Sequence, residues 1–299
     1  MHWIPPVRVA LTALLGLGLL VPDRPAPVAP AAYVEAYPMV AARLRAAGPP
    51  YDGWVTAGRR FLVFDPRGDG LAVEVLGDLA TADRIAVLVP GVGSTLHDFD
   101  RGLGGVARRA PARQGAELYA ALRAAAPDTP VAVLVWLGYH PPDGVATAAG
   151  RTAAHRGATA LLAQLRVLAT HRPDATVTLV GHSYGALVVG LAAEQSPAGV
   201  TDVVTLGGVG VGVDRAGDLG RIRVWAAEAP TDWIRRVPEV RLPGLGHGVR
   251  PGDPAFGARP LPTAGVTGHD SYLATGSTTT AAVASVVLHG AIADPAVAP

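Results

Sequence analysis

Short runs of β-branched and apolar residues recur along this chain, separated by stretches where apolar positions return every three or four residues. The runs at 59–65, 71–77, 84–89, 131–137, 175–180, 203–206, 223–227 and 259–262 predict strands. The stretches at 112–126, 149–170, 186–193 and 281–290 predict helices. The first two strands are joined by Pro66-Arg67-Gly68-Asp69-Gly70, a turn-rich pentapeptide, and predict an antiparallel hairpin. From residue 84 onward strands alternate with helices, which predicts a parallel sheet covered on both faces. The expected architecture is α/β, a mostly parallel sheet with an antiparallel N-terminal edge.

Ahead of that alternation the pattern changes twice. Residues 9–21 are uncharged and mostly apolar, too few for a comfortable membrane span but matching the apolar region of a secretory leader. Residues 22–30 hold four prolines in nine positions and read as a linker. Residues 1–31 are therefore expected to be a signal peptide or an uncleaved anchor. The protein is then exported, or membrane-anchored through that segment alone. Residues 32–58 predict a helical extension around Pro38, and 59–299 the α/β domain.

Composition narrows the chemistry. The 299 residues carry 25 basic and 24 acidic side chains, a net charge of +1 without long runs. No nucleic-acid partner is expected, because such binding needs a concentrated basic surface. Cysteine, lysine and asparagine are all missing. Their absence excludes thiol nucleophiles, thiolate-held metals, Ser–Lys dyads, phosphate-binding loops of the lysine type and lysine Schiff bases. No cofactor is expected.

Against that background, residues 175–190 stand out: an apolar strand, then Gly181-His182-Ser183-Tyr184-Gly185, then a run of small apolar residues fit for a helix. Strand, G-x-S-x-G and helix make a nucleophile elbow, in which the serine sits on a turn so sharp that its neighbours must lack side chains. A serine needs a base, and the base an orienting acid, in the chain order Ser, Asp/Glu, His. Asp232 lies a few residues beyond the 223–227 strand, and His269 follows Gly268 just before the closing helix. Glu228 and Asp214 remain alternative acids, and His247 an alternative base. His182 is expected to point away from the reaction. A metal cluster of His247, Asp253, His269 and Asp270 matches no helical or ribbon spacing, and no metal site is expected. Backbone NH groups of Tyr184 and Val92 are the candidate oxyanion donors, with Gly91 and Gly93 letting backbone approach substrate.

Several ordered motifs carry a resemblance: Pro90-Gly91-Val92-Gly93, Trp136-Leu137-Gly138-Tyr139, the elbow with Ala186-Leu187-Val188-Val189-Gly190, GVGVDRAGDL at 210–219, Phe256-Gly257-Ala258 and Gly268-His269. Together, over about residues 84–290, they resemble the actinobacterial α/β-hydrolase family catalogued as a domain of unknown function (DUF1023). The resemblance implies an α/β-hydrolase fold with Ser183, Asp232 and His269 as the triad, and it supplies no substrate. The chain departs from the family pattern at Gly207-Gly208-Val209-Gly210 and at Thr231-Asp232-Trp233, where the family reads Gly-Ser-Pro-Gly and Gly-Asp-Pro.

The expected activity is that of an esterase- or lipase-like serine hydrolase acting on a small or lipid-like acyl substrate. An amidase or acyltransferase would use the same residues, and a non-catalytic secreted binding protein of this fold is the alternative. Only residues 207–222 separate two strands where a lid would insert, so no large cap domain is expected. The pocket walls fall to 91–111, 138–150 and 237–258. Trp136, Tyr139 and Trp233, near strand ends, are expected to line the cleft with Gly91 and Gly93.

Overall fold

The computed structural model describes residues 30–242 and 244–292. Eight strands form one sheet in the order β1-β2-β4-β3-β5-β6-β7-β8. They are β1 (Arg60–Asp65), β2 (Leu71–Gly77), β3 (Arg84–Val89), β4 (Val131–Leu137), β5 (Thr176–His182), β6 (Val200–Leu206), β7 (Arg223–Ala227) and β8 (Arg259–Pro260). The β1–β2 and β2–β4 pairs are antiparallel, and every pair from β4 to β8 is parallel. The mixed sheet with its antiparallel edge is the expected one.

Helices α1 (Tyr37–Ala47), α2 (Tyr51–Thr56), α3 (Pro111–Ala125), α4 (Thr152–His171), α5 (Gly185–Ala193) and α6 (Thr278–His289) cover it. Alternating strand residues separate two cores. Val177 and Leu179 of β5 face a core shared with Leu161 and Leu165 of α4 and Leu187 of α5. Val180 of the same strand faces the other, with Leu118 and Leu122 of α3 and Val283 and Val287 of α6. Period-two alternation thus buries both faces of one strand.

Several element boundaries differ from the sequence reading, and the larger shifts have a physical cause. The helical extension expected over 32–58 is two helices, α1 and α2, and α2 buries Trp54, whose ring stacks on Phe61. Strand β6 begins at Val200 because Asp202, which breaks the apolar run, is buried and paired. Arg223 beside it on β7 donates to its carboxylate at 2.7 and 2.6 Å, and the Trp225 indole at 2.8 Å. Helix α6 begins at Thr278 because the Ser277 hydroxyl caps it, accepting from the Thr279 amide at 3.1 Å. Pro38 falls in the first turn of α1, where proline costs little.

The leader or anchor expected over 1–31 lies, except for its last two residues, outside the described residues. No described helix is long and apolar enough to cross a membrane. Between β6 and β7 there is only a 3-10 turn, Ala216–Leu219, and no cap domain.

Candidate active site

Ser183 is the only described residue other than glycine with a positive φ, at 55°. The strain comes from the passage of β5 directly into α5. A Cβ at Gly181 would lie 2.5 Å from the Ala186 Cα, and one at Gly185 would lie 2.2 Å from the Val89 carbonyl oxygen. Both glycines are needed for space, which is the physical content of the G-x-S-x-G pattern. The Ser183 amide donates to the Leu206 carbonyl at 2.9 Å, tying the elbow to β6.

Asp232 caps the 3-10 turn Trp233–Arg236 and accepts from the Ile234 amide at 2.8 Å. His269 lies between β8 and α6, and its Nδ1 is 2.9 Å from each Asp232 carboxylate oxygen. The Thr231 hydroxyl accepts from the Gly268 amide at 3.0 Å, joining the two loops. Ser183, Asp232 and His269 are all buried, at 6, 3 and 9% exposure. The His269 Nε2 is buried and has no hydrogen-bond partner, and its ring lines the same cleft as Ser183.

Burial raises the Asp232 pKa, but bonds from His269, Tyr272 and the Ile234 amide outweigh it and hold the carboxyl below its ordinary value. The acid is therefore ionised at neutral pH, fit to hold a charged imidazole. Tyr272, missed in the sequence reading, donates its hydroxyl to Asp232 Oδ2 at 2.6 Å and accepts from the Ala229 amide at 3.0 Å. Its only sequence signal is its place three residues after His269.

The alternatives are engaged elsewhere. Glu228 pairs with Arg250 at 3.1 Å, and Asp214 with Arg241 at 3.0 Å. His247 Nε2 hydrogen-bonds the Ala148 carbonyl at 2.7 Å. Of the metal set weighed above, Asp253 caps a turn through the Ala255 amide and Asp270 pairs with Arg109. No group of three or more His, Cys, Asp or Glu among the described residues could hold a metal ion.

His182 departs from expectation. Its ring lines the cleft 4.8 Å from that of His269, and its Nε2 lies 2.8 Å from the His269 carbonyl oxygen. Burial, then the neighbouring His269 charge, push its pKa down to about 4. The neutral ring therefore donates to that carbonyl and fastens the loop bearing His269.

On the opposite side, the Gly93 amide donates to the Pro142 carbonyl at 2.8 Å, whereas the Val92 amide donates to no described carbonyl in the turns and loops. A Cβ at Gly91 would lie 2.7 Å from the Ser183 Cβ, so only glycine admits the loop this close to the elbow. Gly91 and Val92 line the cleft, as does Trp233, whose ring is 4.8 Å from His269.

Trp136 and Tyr139 do not line it. They stack on one another in the core, at 1 and 3% exposure, and the Tyr139 hydroxyl donates to the Pro90 carbonyl at 2.7 Å. Tyr139 steadies the loop from beneath because β4 lies next to β3, whose end carries that loop. Gly93 likewise anchors the loop and does not line the cleft. The Tyr184 side chain also turns inward, donating to the Gly150 carbonyl at 2.7 Å, so only its backbone is available to the site.

Comparison with known proteins adds a family. A model of the alpha/beta hydrolase family matches residues 65–242. An uncharacterized protein of Mycobacterium bovis is 37% identical over 163 residues, 52% of this chain and 58% of its own length. A second, from Mycobacterium tuberculosis, is 32% identical over 55% of this chain and 26% of its own length. The chain thus spans between a quarter and three-fifths of these relatives. A carboxylesterase from Mesorhizobium loti, 18% identical, superposes with a TM-score of 0.46 over 76% of this chain and 98% of its own.

Proposed function

This chain belongs to the α/β-hydrolase family, and we propose that it is a serine hydrolase that cleaves carboxylic esters through an acyl-enzyme. The observation that carries the reading is the buried, unpartnered His269 Nε2 in one cleft with Ser183, its other nitrogen held by an ionised Asp232. Other buried nitrogens also lack a partner, His140 Nε2 and His247 Nδ1 among them. His269 alone of these histidines both lines the Ser183 cleft and has its second nitrogen on a carboxylate, as a base awaiting a proton requires.

In this mechanism His269 Nε2 takes the proton of Ser183 as Oγ attacks the ester carbonyl carbon. Asp232 holds the resulting imidazolium, and the amides of Tyr184 and Val92 donate to the oxyanion. As the tetrahedral intermediate collapses, the carbon–oxygen bond to the alcohol breaks and the alcohol oxygen takes the proton from His269. Water, activated by the same nitrogen, then releases the acid and restores the serine. A contact between Ser183 and His269 that tightens only when substrate is bound is common in sites of this type.

The test is covalent. A fluorophosphonate probe is expected to label Ser183, located by peptide mass spectrometry, and Ser183→Ala to abolish both labelling and ester hydrolysis. Folded protein that hydrolyses no ester and takes no label would remove the reading.

A further inference from the structure

The cleft at Ser183 has two limbs of unlike chemistry. One, of about 210 Å³ beside the elbow, sets the polar side chains of Ser94, Arg109, Gln114, His182, His269 and Asp270 among apolar ones, Leu103 included. The other, of about 610 Å³, is lined chiefly by aliphatic residues, among them Val209, Val237, Val240, Leu242 and Leu245. Its polar exceptions beside Ser183 are Arg236 and His247, and the latter turns its Nε2 to the Ala148 carbonyl. Ser183, Val92, Val145 and Trp233 line both limbs, so the nucleophile stands where they meet. Of the large apolar side chains exposed among the described residues, Leu103, Val145, Trp233, Val240, Leu242 and Leu245 all line one limb or the other, and only Met39 lies elsewhere. Exposed apolar surface gathered at one place marks a binding surface.

Which limb takes which half of an ester follows from proton transfer. The alcohol must leave where His269 can protonate its oxygen, and His269 lines the small limb and not the large one. The carbonyl carbon stays bonded to Ser183 Oγ, so the acyl chain extends the other way. Resting on the serine-hydrolase reading, we propose that the substrate is an ester of an apolar acyl chain of medium length or longer with a small polar alcohol. The acyl chain occupies the large limb and the alcohol the small one, against Arg109, Gln114 and Asp270. The volume of the large limb lies within the usual range of about 300–1,000 Å³ for small-molecule sites.

Two isomeric esters separate the limbs. Ethyl octanoate and octyl acetate have the same formula and the long chain on opposite sides of the ester. Burying one methylene is worth about fourfold in binding, so two of the six additional methylenes held in the acyl limb give more than tenfold. The full chain is expected to hydrolyse ethyl octanoate with a kcat/KM at least tenfold above that for octyl acetate. Leu245→Glu and Val240→Glu, at exposed positions on the large limb, are each expected to lower that ratio at least threefold. Overall kcat/KM need not be preserved, since the ratio is the readout. A wild-type ratio below tenfold, a preference for octyl acetate, or a ratio that neither variant lowers overturns the proposal. So does turnover of neither isomer by protein that labels at Ser183. Failure of Ser183 to label overturns the serine-hydrolase reading itself, so the two failures are told apart.

Discussion

Asp232 is an acceptor with four close donor contacts: the Ile234 amide, the Tyr272 hydroxyl and His269 Nδ1 on both oxygens. Each fixes the carboxylate in the plane where the imidazole must sit. Tyr272 is the one whose removal leaves the backbone unchanged, although it also strands the Ala229 amide. A hydrogen bond to a charged group is worth about 1.5–3 kcal/mol. Tyr272→Phe is therefore expected to lower kcat on an activated ester by roughly tenfold with little change in KM, read by steady-state kinetics. An unchanged kcat would show that the other contacts orient Asp232 by themselves.

At the scale of the element, the strand–turn–helix of β5 and α5 is held by space more than by hydrogen bonding. A methyl at Gly185 would lie 2.2 Å from the Val89 carbonyl oxygen, whereas one at Gly217, in the 3-10 turn after β6, would meet nothing within 4 Å. Gly185→Ala is expected to destabilise the fold by about 1–3 kcal/mol or more, and Gly217→Ala to stay within about 0.5 kcal/mol, both by urea unfolding. The β6–β7 pair illustrates a different economy. Asp202 is 1% exposed yet sits in a strand, because Arg223 and Trp225 next to it satisfy both carboxylate oxygens.

At the scale of the whole molecule, the site is assembled from loops that leave one edge of the sheet, and global stability inherits its electrostatics. His182 is neutral in the fold, with its pKa held down to about 4 against an ordinary 6.5. Below about pH 6.5 the unfolded chain takes up a proton that the folded one does not. The contribution of His182 to stability is thus complete above that pH and is progressively lost as pH falls toward 4. Unfolding free energy is expected to be lower at pH 5 than at pH 7.5, and the drop to be smaller in His182→Gln. An equal drop in both proteins would place the pH dependence elsewhere. The apolar residues exposed around the two limbs belong to this scale too. They come from three regions far apart in the chain, represented by Leu103, by Val145 and by Trp233 with Val240, Leu242 and Leu245, and meet at that edge.

The alternation of strands and helices, the opening hairpin and the elbow were all legible in the sequence, because each is governed by local periodicity and by glycine at places where a side chain cannot fit. The lack of room for a cap domain was equally plain from the 16 positions between β6 and β7. What lay outside local pattern depended on partners distant in the chain. Asp202 as a strand residue needed Arg223, and Tyr272 as a partner of Asp232 needed two loops brought together. Tyr139, beside a strand end in sequence, is placed beneath the loop by the neighbour its strand acquires in the sheet, and Trp136 stacks on it in the core. Side-chain direction along an isolated strand is set by alternation alone. Whether that direction meets core, cleft or solvent is decided only when the other layers close over it.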